Sequence, residues 1–177
     1  MKFNPRVLMR KGHRWGAIAV AIPFLVVIVT GILLQLKKES DWIQPPTAKG
    51  QGKTPGISFD RLLDAAKSKP EAGIESWADI ERIDIQPGRG IAKIQSKTSW
   101  EVQVDLQTGD VLQVAYRRSD FIETLHDGSW FHDRAKLWVF LPTAAVVLGI
   151  WFTGIYLFFL PLTVKWRRRW AERQKAG

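Results

Sequence analysis

Residues 15–36 read WGAIAVAIPFLVVIVTGILLQL, 22 residues without a charge. At about 1.5 Å per residue, a helix of that length spans roughly 33 Å, enough for the hydrocarbon core of a bilayer. Pro23 predicts a kink, which a membrane helix tolerates when neighbours satisfy the freed carbonyl. A cleaved secretion signal needs a small-x-small site after the run. LLQLKKES stands there instead, so the run reads as a retained anchor. A second uncharged run, LWVFLPTAAVVLGIWFTGIYLFFLPLTV, covers 137–164. KWRRRW closes it, with Trp166 and Trp170 as interfacial anchors.

Charge is distributed around these runs. The net charge is +9, and its excess sits in two tails. Residues 1–14 carry Lys2, Arg6, Arg10, Lys11 and Arg14 with no acid. Residues 165–177 carry Lys165, Arg167, Arg168, Arg169, Arg173 and Lys175 against Glu172. The segment between is nearly balanced. Basic tails beside apolar runs mark membrane topology, whereas a nucleic-acid protein carries its basic stripe on the folded domain. The expected partner is therefore the lipid bilayer and not nucleic acid. Both tails are expected in the cytoplasm, with 37–136 outside, although Lys37, Lys38, Arg134 and Lys136 flank the other face. The chain has no cysteine, which excludes disulfides, thiolate metal sites, iron–sulfur clusters and a cysteine nucleophile.

Between the runs, QPPTAKGQGKTPG is rich in Pro, Gly and Lys and reads as an irregular linker. In SFDRLLDAAKSKP, Phe59, Leu62, Leu63 and Ala66 fall on one helix face, with Ser58 as N-cap and Pro70 as the stop. IERIDIQ and IAKIQS are joined by the turn PGRG. WEVQVD and VLQVAY alternate with period two, and Gly109 in LQTG closes a hairpin between them. One helix on an antiparallel sheet is an α+β layer pair. Asp84, Glu101 and Asp105 read as exposed solvating charge. SDFIETLHDG reads as a short helix, with Asp120 and Glu123 as a capping box and Gly128 at its exit.

The expected organisation is a basic tail (1–14), a first transmembrane helix (15–36), a linker (37–57), a small domain (58–118), a short helix and interfacial junction (119–136), a second transmembrane helix (137–164) and a second basic tail (165–177).

Three stretches in this order, HRWGAIAVAIPFLVVIVTGILL, WEVQVDLQTGDVL and TLHDGSWF, resemble PepSY-associated transmembrane proteins. The first is similar to that family's opening helix, the second to the terminal hairpin of the PepSY domain, and the third to its Leu-His-x-Gly element. The resemblance covers roughly residues 10 to 163. It implies an α+β membrane protein of the bacterial inner membrane, with two transmembrane helices flanking a small extracytoplasmic PepSY-like domain. PepSY domains occur in propeptides of thermolysin-like proteases, as inhibitors and folding aids. Larger relatives with four or more spans include ferric-siderophore reductases of iron uptake, which carry haem b on histidines. By this resemblance His13 and His126 match recurrent family histidines, although this chain has only two long apolar runs.

The candidate haem or metal ligands are His13, His126 and His132. His13 and His126 are expected on opposite sides of roughly 30 Å of bilayer, too far apart to clamp one iron. His126 and His132 face apart on a straight helix, and a break at Gly128 would bring them together, with Asp127 and Asp133 beside them. The competing reading places these polar residues in the headgroup layer as anchors. Neither run contains an ionisable residue, which argues against a proton path or a transporter site. Thr30, Gly31, Gly149, Thr153 and Gly154 are small residues suited to close helix packing. Nothing in the residues themselves requires a cofactor. The leading expectation is a non-catalytic interaction or assembly subunit. A haem-b electron-transfer component and a membrane-tethered protease inhibitor are the alternatives.

Overall fold

The computed structural model describes residues 5–52 and 54–175. Two helices are long and apolar enough to cross a membrane, within Arg6–Gln35 and Lys136–Trp166. Helix α1 (Pro5–Gln35) starts ten residues ahead of the apolar run, because the basic residues there are good helix formers. Helix α4 (Leu141–Lys175) follows a π-helical turn at Lys136–Phe140. Both continue through an internal proline, Pro23 and Pro161.

The chain divides into two compact units. Thr30–Thr124 forms the one that holds the helix-and-sheet domain, together with the end of α1. Helix α2 (Phe59–Lys67) begins where Ser58 Oγ accepts the Arg61 N–H at 3.2 Å. Strands β1 (Ile80–Gln86), β2 (Ile91–Ser96), β3 (Trp100–Asp105) and β4 (Val111–Tyr116) pair antiparallel in that order. Leu62, Ala65 and Ala66 of α2 bury against Ala92, Ile94, Val102 and Val104. The buried face of α2 is thus rotated from the expected one. Phe59 is exposed and meets the Trp77 ring edge-on at 6.3 Å between centroids.

The other face of the sheet corrects the reading of its acids. Asp84 is exposed, but Glu101 and Asp105 are buried, with Lys93, Gln95 and Gln103 beside them. Period-two alternation puts Ala92, Ile94, Val102 and Val104 on the α2 side and these polar residues, with Ile91, opposite. Glu101 accepts Lys93 Nζ at 3.2 Å and Arg117 Nη1 at 2.5 Å. Gln103 Nε2 donates to Glu101 Oε1 at 2.8 Å. No buried side-chain polar atom among the described residues lacks a partner.

The Pro/Gly-rich segment covers this face. It has no helix or strand between Pro45 and Gly50, as the composition predicts, yet it is tied down. Ala48 N–H donates to Gln103 Oε1 at 2.7 Å, and Gln103 Nε2 returns a bond to the Pro46 carbonyl at 2.9 Å. Gln51 N–H donates to Asp105 Oδ2 at 2.7 Å, and Gly50 N–H to the Arg89 carbonyl at 2.8 Å. A Cβ at Gly50 would run into the Gly90 carbonyl, so the strap needs glycine there.

Helix α3 (Arg118–Asp127) begins two residues ahead of the expected cap. Asp120 lies in its first turn and accepts Arg117 Nε at 3.1 Å instead of capping. Burial opposes the Arg117 charge, but Glu101 and Asp120 outweigh it and hold its pKa above the ordinary value. Ser119 N–H donates to the Ile43 carbonyl at 2.8 Å and Arg118 Nη1 to the Trp42 carbonyl at 3.2 Å. These bonds clasp the entry and exit of the soluble unit together.

Replacing Glu101 by Ala strands two buried cations, and removing one member of such a pair costs about 3–5 kcal/mol. A denaturant melt of E101A, followed by circular dichroism, is expected to show a loss of that order or no folded domain. Burial works to raise the Asp105 pKa, but N–H donors from Gln51, Thr108 and Gln107 outweigh it and leave it lowered. A depressed carboxylate stabilises the fold above its unfolded value, near pH 4, and that stability is lost as pH falls through the folded value. Protection of the Gln51 amide, relative to its intrinsic exchange rate, is therefore expected to fall below about pH 4, and Asp105→Asn should remove this acid step.

Candidate functional site

The membrane unit comprises the helices up to Val29 and from Leu125 onward. Residues of α1 that lose exposure recur as Met9, His13, Gly16, Val20, Pro23 and Val27. On the α4 side the series is Phe140, Thr143, Val147, Ile150, Gly154 and Leu157. Alternating steps of three and four are the spacing of helices packed at a shallow angle. The pair runs antiparallel: His13 lies at Thr153, and a Cβ at Gly16 would meet Val146 and Ile150.

His13 is thus a seam residue. Its Nδ1 and Thr153 Oγ1 are 2.9 Å apart, and Thr153 also donates to the Ile150 carbonyl at 3.0 Å. That second bond uses the hydroxyl hydrogen, so His13 Nδ1 is the donor and Thr153 Oγ1 the acceptor when both form. A Cβ at Gly154 would stand 3.4 Å from His13 Cε1, so the glycine makes room for the ring. The sequence offers His13 as a candidate haem or metal ligand and Thr153 and Gly154 as helix-packing residues. The structure brings all three to one point.

The remaining candidates are elsewhere. Gly149 meets nothing within 4 Å where a Cβ would stand, so it does not hold the seam; Gly16 does. Thr30 is buried and Gly31 half-buried. His126 lies in the last turn of α3, and Gly128, with φ +84°, follows it. A Cβ at Gly128 would strike the Phe140 ring, which seats the α3 exit on the start of the second span. His132 Nδ1 accepts the Arg134 N–H at 3.0 Å in a local turn, on an exposed side chain. Asp127 turns away from a ligand role as well: it accepts Lys136 Nζ at 2.8 Å and Ser129 Oγ at 2.6 Å. Burial works to raise the Asp127 pKa, yet Lys136 and Ser129 outweigh it and bring it down to about 2.

Among the described residues, no group of three or more His, Asp or Glu side chains is placed to hold a metal ion. His13 meets α4 at Thr153, whereas the His126 segment meets it near Phe140, 13 residues away. That is about 20 Å along a helix. His13 and His126 of one chain are therefore not placed to clamp a single haem between them.

Residues 10–176 match the family model described as the PepSY-associated TM region. The chain belongs to that family. It is a two-pass membrane protein with a PepSY-type helix-and-sheet domain between its spans. No curated protein and no solved structure was found to match it.

The seam geometry makes a spectroscopic prediction for this PepSY-associated chain. Purified as a single copy in detergent and supplied with haem, it is expected to give no bis-histidine low-spin spectrum. A strong reduced-minus-oxidised signal that disappears in both His13→Ala and His126→Ala would contradict the separation of these residues.

Proposed function

We propose that this PepSY-associated protein is a non-catalytic assembly subunit of the bacterial inner membrane. In this reading both basic tails lie in the cytoplasm and the soluble unit lies outside. The positive-inside asymmetry of the two tails supports that orientation.

One observation carries the assembly role. The two helices do not fill the space beside their own seam. Phe24 and Val27 of α1, with Phe140, Thr143, Ala144, Val147, Leu148 and Trp151 on the α4 side, line an apolar groove of about 490 Å³. Thr143 and Ala144 keep its wall low, and small residues of this kind let another helix approach closely. The partner this favours is a transmembrane helix, from another membrane protein or from a second copy. In the unit that holds the sheet, the buried charges are satisfied by one another and by the strap among the described residues, which suits a structural role for them.

Photo-crosslinking in intact membranes tests this reading. A photoreactive residue at Leu148, in the groove, is expected to give one discrete protein adduct. The same residue at Ile22, which is 78% exposed and outside the groove, is expected to give lipid adducts only. Identical labelling from the two positions would discard the groove as an assembly surface.

A further inference from the structure

A second cleft lies within the soluble unit, has a volume of about 320 Å³, and has opposite chemistry. Lys37, Lys38 and Arg89 line it, with Asp41 as the one acid in its wall. Pro45, Pro46 and Thr47, from the strap, also line it. Lys37 reaches out to Glu123 at 3.1 Å in an exposed pair. Lys38 and Arg89 are exposed and make no ion pair among the described residues. The cleft is nevertheless built rather than incidental. Gly50 N–H holds the Arg89 carbonyl at 2.8 Å, which fixes the turn that carries the guanidinium. Lys93 Nζ donates to Thr47 Oγ1 at 2.9 Å, so the Thr47 hydroxyl hydrogen is left to donate to a ligand.

Ammonium, guanidinium and this hydroxyl are all donors, so the matching ligand is an anion with several acceptor oxygens. Position narrows its class. Lys37 and Lys38 follow Gln35, the last residue of α1, by two and three residues, so the cleft opens where the chain leaves the membrane. Trp42, 61% exposed on the next turn, is a side chain typical of that interface. We infer that this cleft binds a phosphate group, carried by an anionic phospholipid headgroup or by a soluble phosphate. Nothing in the assembly reading requires it, and it stands on different residues.

Calorimetric titration of the full chain in non-ionic detergent tests the site with three probes: short-chain phosphatidylglycerol, short-chain phosphatidylcholine and inorganic phosphate. Saturable binding near one to one is expected for phosphatidylglycerol, and weaker binding for the zwitterionic lipid. Binding of inorganic phosphate at comparable affinity would assign the cleft to a soluble phosphate; its absence would assign it to the headgroup. Lys38→Ala with Arg89→Ala is expected to weaken binding roughly tenfold or more, the loss of two charge-assisted hydrogen bonds. Asp41→Asn is expected to tighten it severalfold, a gain that misfolding does not mimic. The inference is overturned by no saturable binding of phosphatidylglycerol or phosphate, by equal affinity for the two lipids, or by affinities unchanged in both variants.

Discussion

Glu101 is the carboxylate on which the soluble unit depends. It is buried in the middle of a sheet, where an unpaired charge would be prohibitive, and its partners come from distant parts of the chain. Lys93 comes from the neighbouring strand, Arg117 from the approach to α3, and Gln103 passes the connection on to Pro46 and Ala48. One charge therefore gathers the segment leaving the first span and the segment leading to the second. The clasp of Ile43 and Trp42 with Ser119 and Arg118 completes the arrangement. Two spans packed side by side must begin and end close together. A domain inserted between them folds compatibly only if its own entry and exit meet, and these bonds make them meet.

The spans and the strand order were legible because each depends on a local signal: uncharged length, period-two alternation, and turns at PGRG and LQTG. The covered polar face was not. An alternating strand such as WEVQVD looks the same whether its polar side faces water or a strap, since the pattern records which side is apolar and not what lies over the other. A sequence signal did exist in the strap itself. Gly50 and Gly52 sit in a segment whose backbone must approach Gly90 and Gln107 closely, and such approach selects glycine as strongly as flexibility does. Composition alone does not separate the two causes. The expected capping box at Asp120 failed for a related reason: the carboxylate went to Arg117, a neighbour that the buried network holds in place.

Helix pairing in the membrane reverses the rule used for soluble helices. In water the buried stripe is the apolar one. In these spans nearly every position is apolar, and the seam is marked instead by small or polar side chains such as Gly16, Thr143, Thr153 and Gly154. Read this way, His13 belongs to the series, three residues before Gly16 and four after Met9. In RKGHRW the sequence sets this histidine among basic neighbours, and nothing local distinguishes a seam residue from a candidate ligand. Its neighbours are exposed, and it alone of that cluster turns to the partner helix.

The register set by His13 and Thr153 has a consequence for depth. Beyond Thr153, α4 continues through eleven uncharged residues to Val164, about 16 Å of helix. Alongside them, antiparallel, run the first turns of α1, which carry Arg6, Arg10 and Lys11. The apolar lengths of the two helices are therefore offset. A bilayer accommodates such an offset by tilt, by local thinning, and by long cationic side chains reaching to the headgroups. Arg10, Lys11 and Arg14 are exposed and long enough to reach; Arg14 lies over the Trp15 ring at 5.4 Å. A histidine ring is too short to do the same. The hydrogen bond to Thr153 and the space left by Gly154 satisfy His13 where it stands, which makes it a fixed point of the helix pair rather than part of the basic tail.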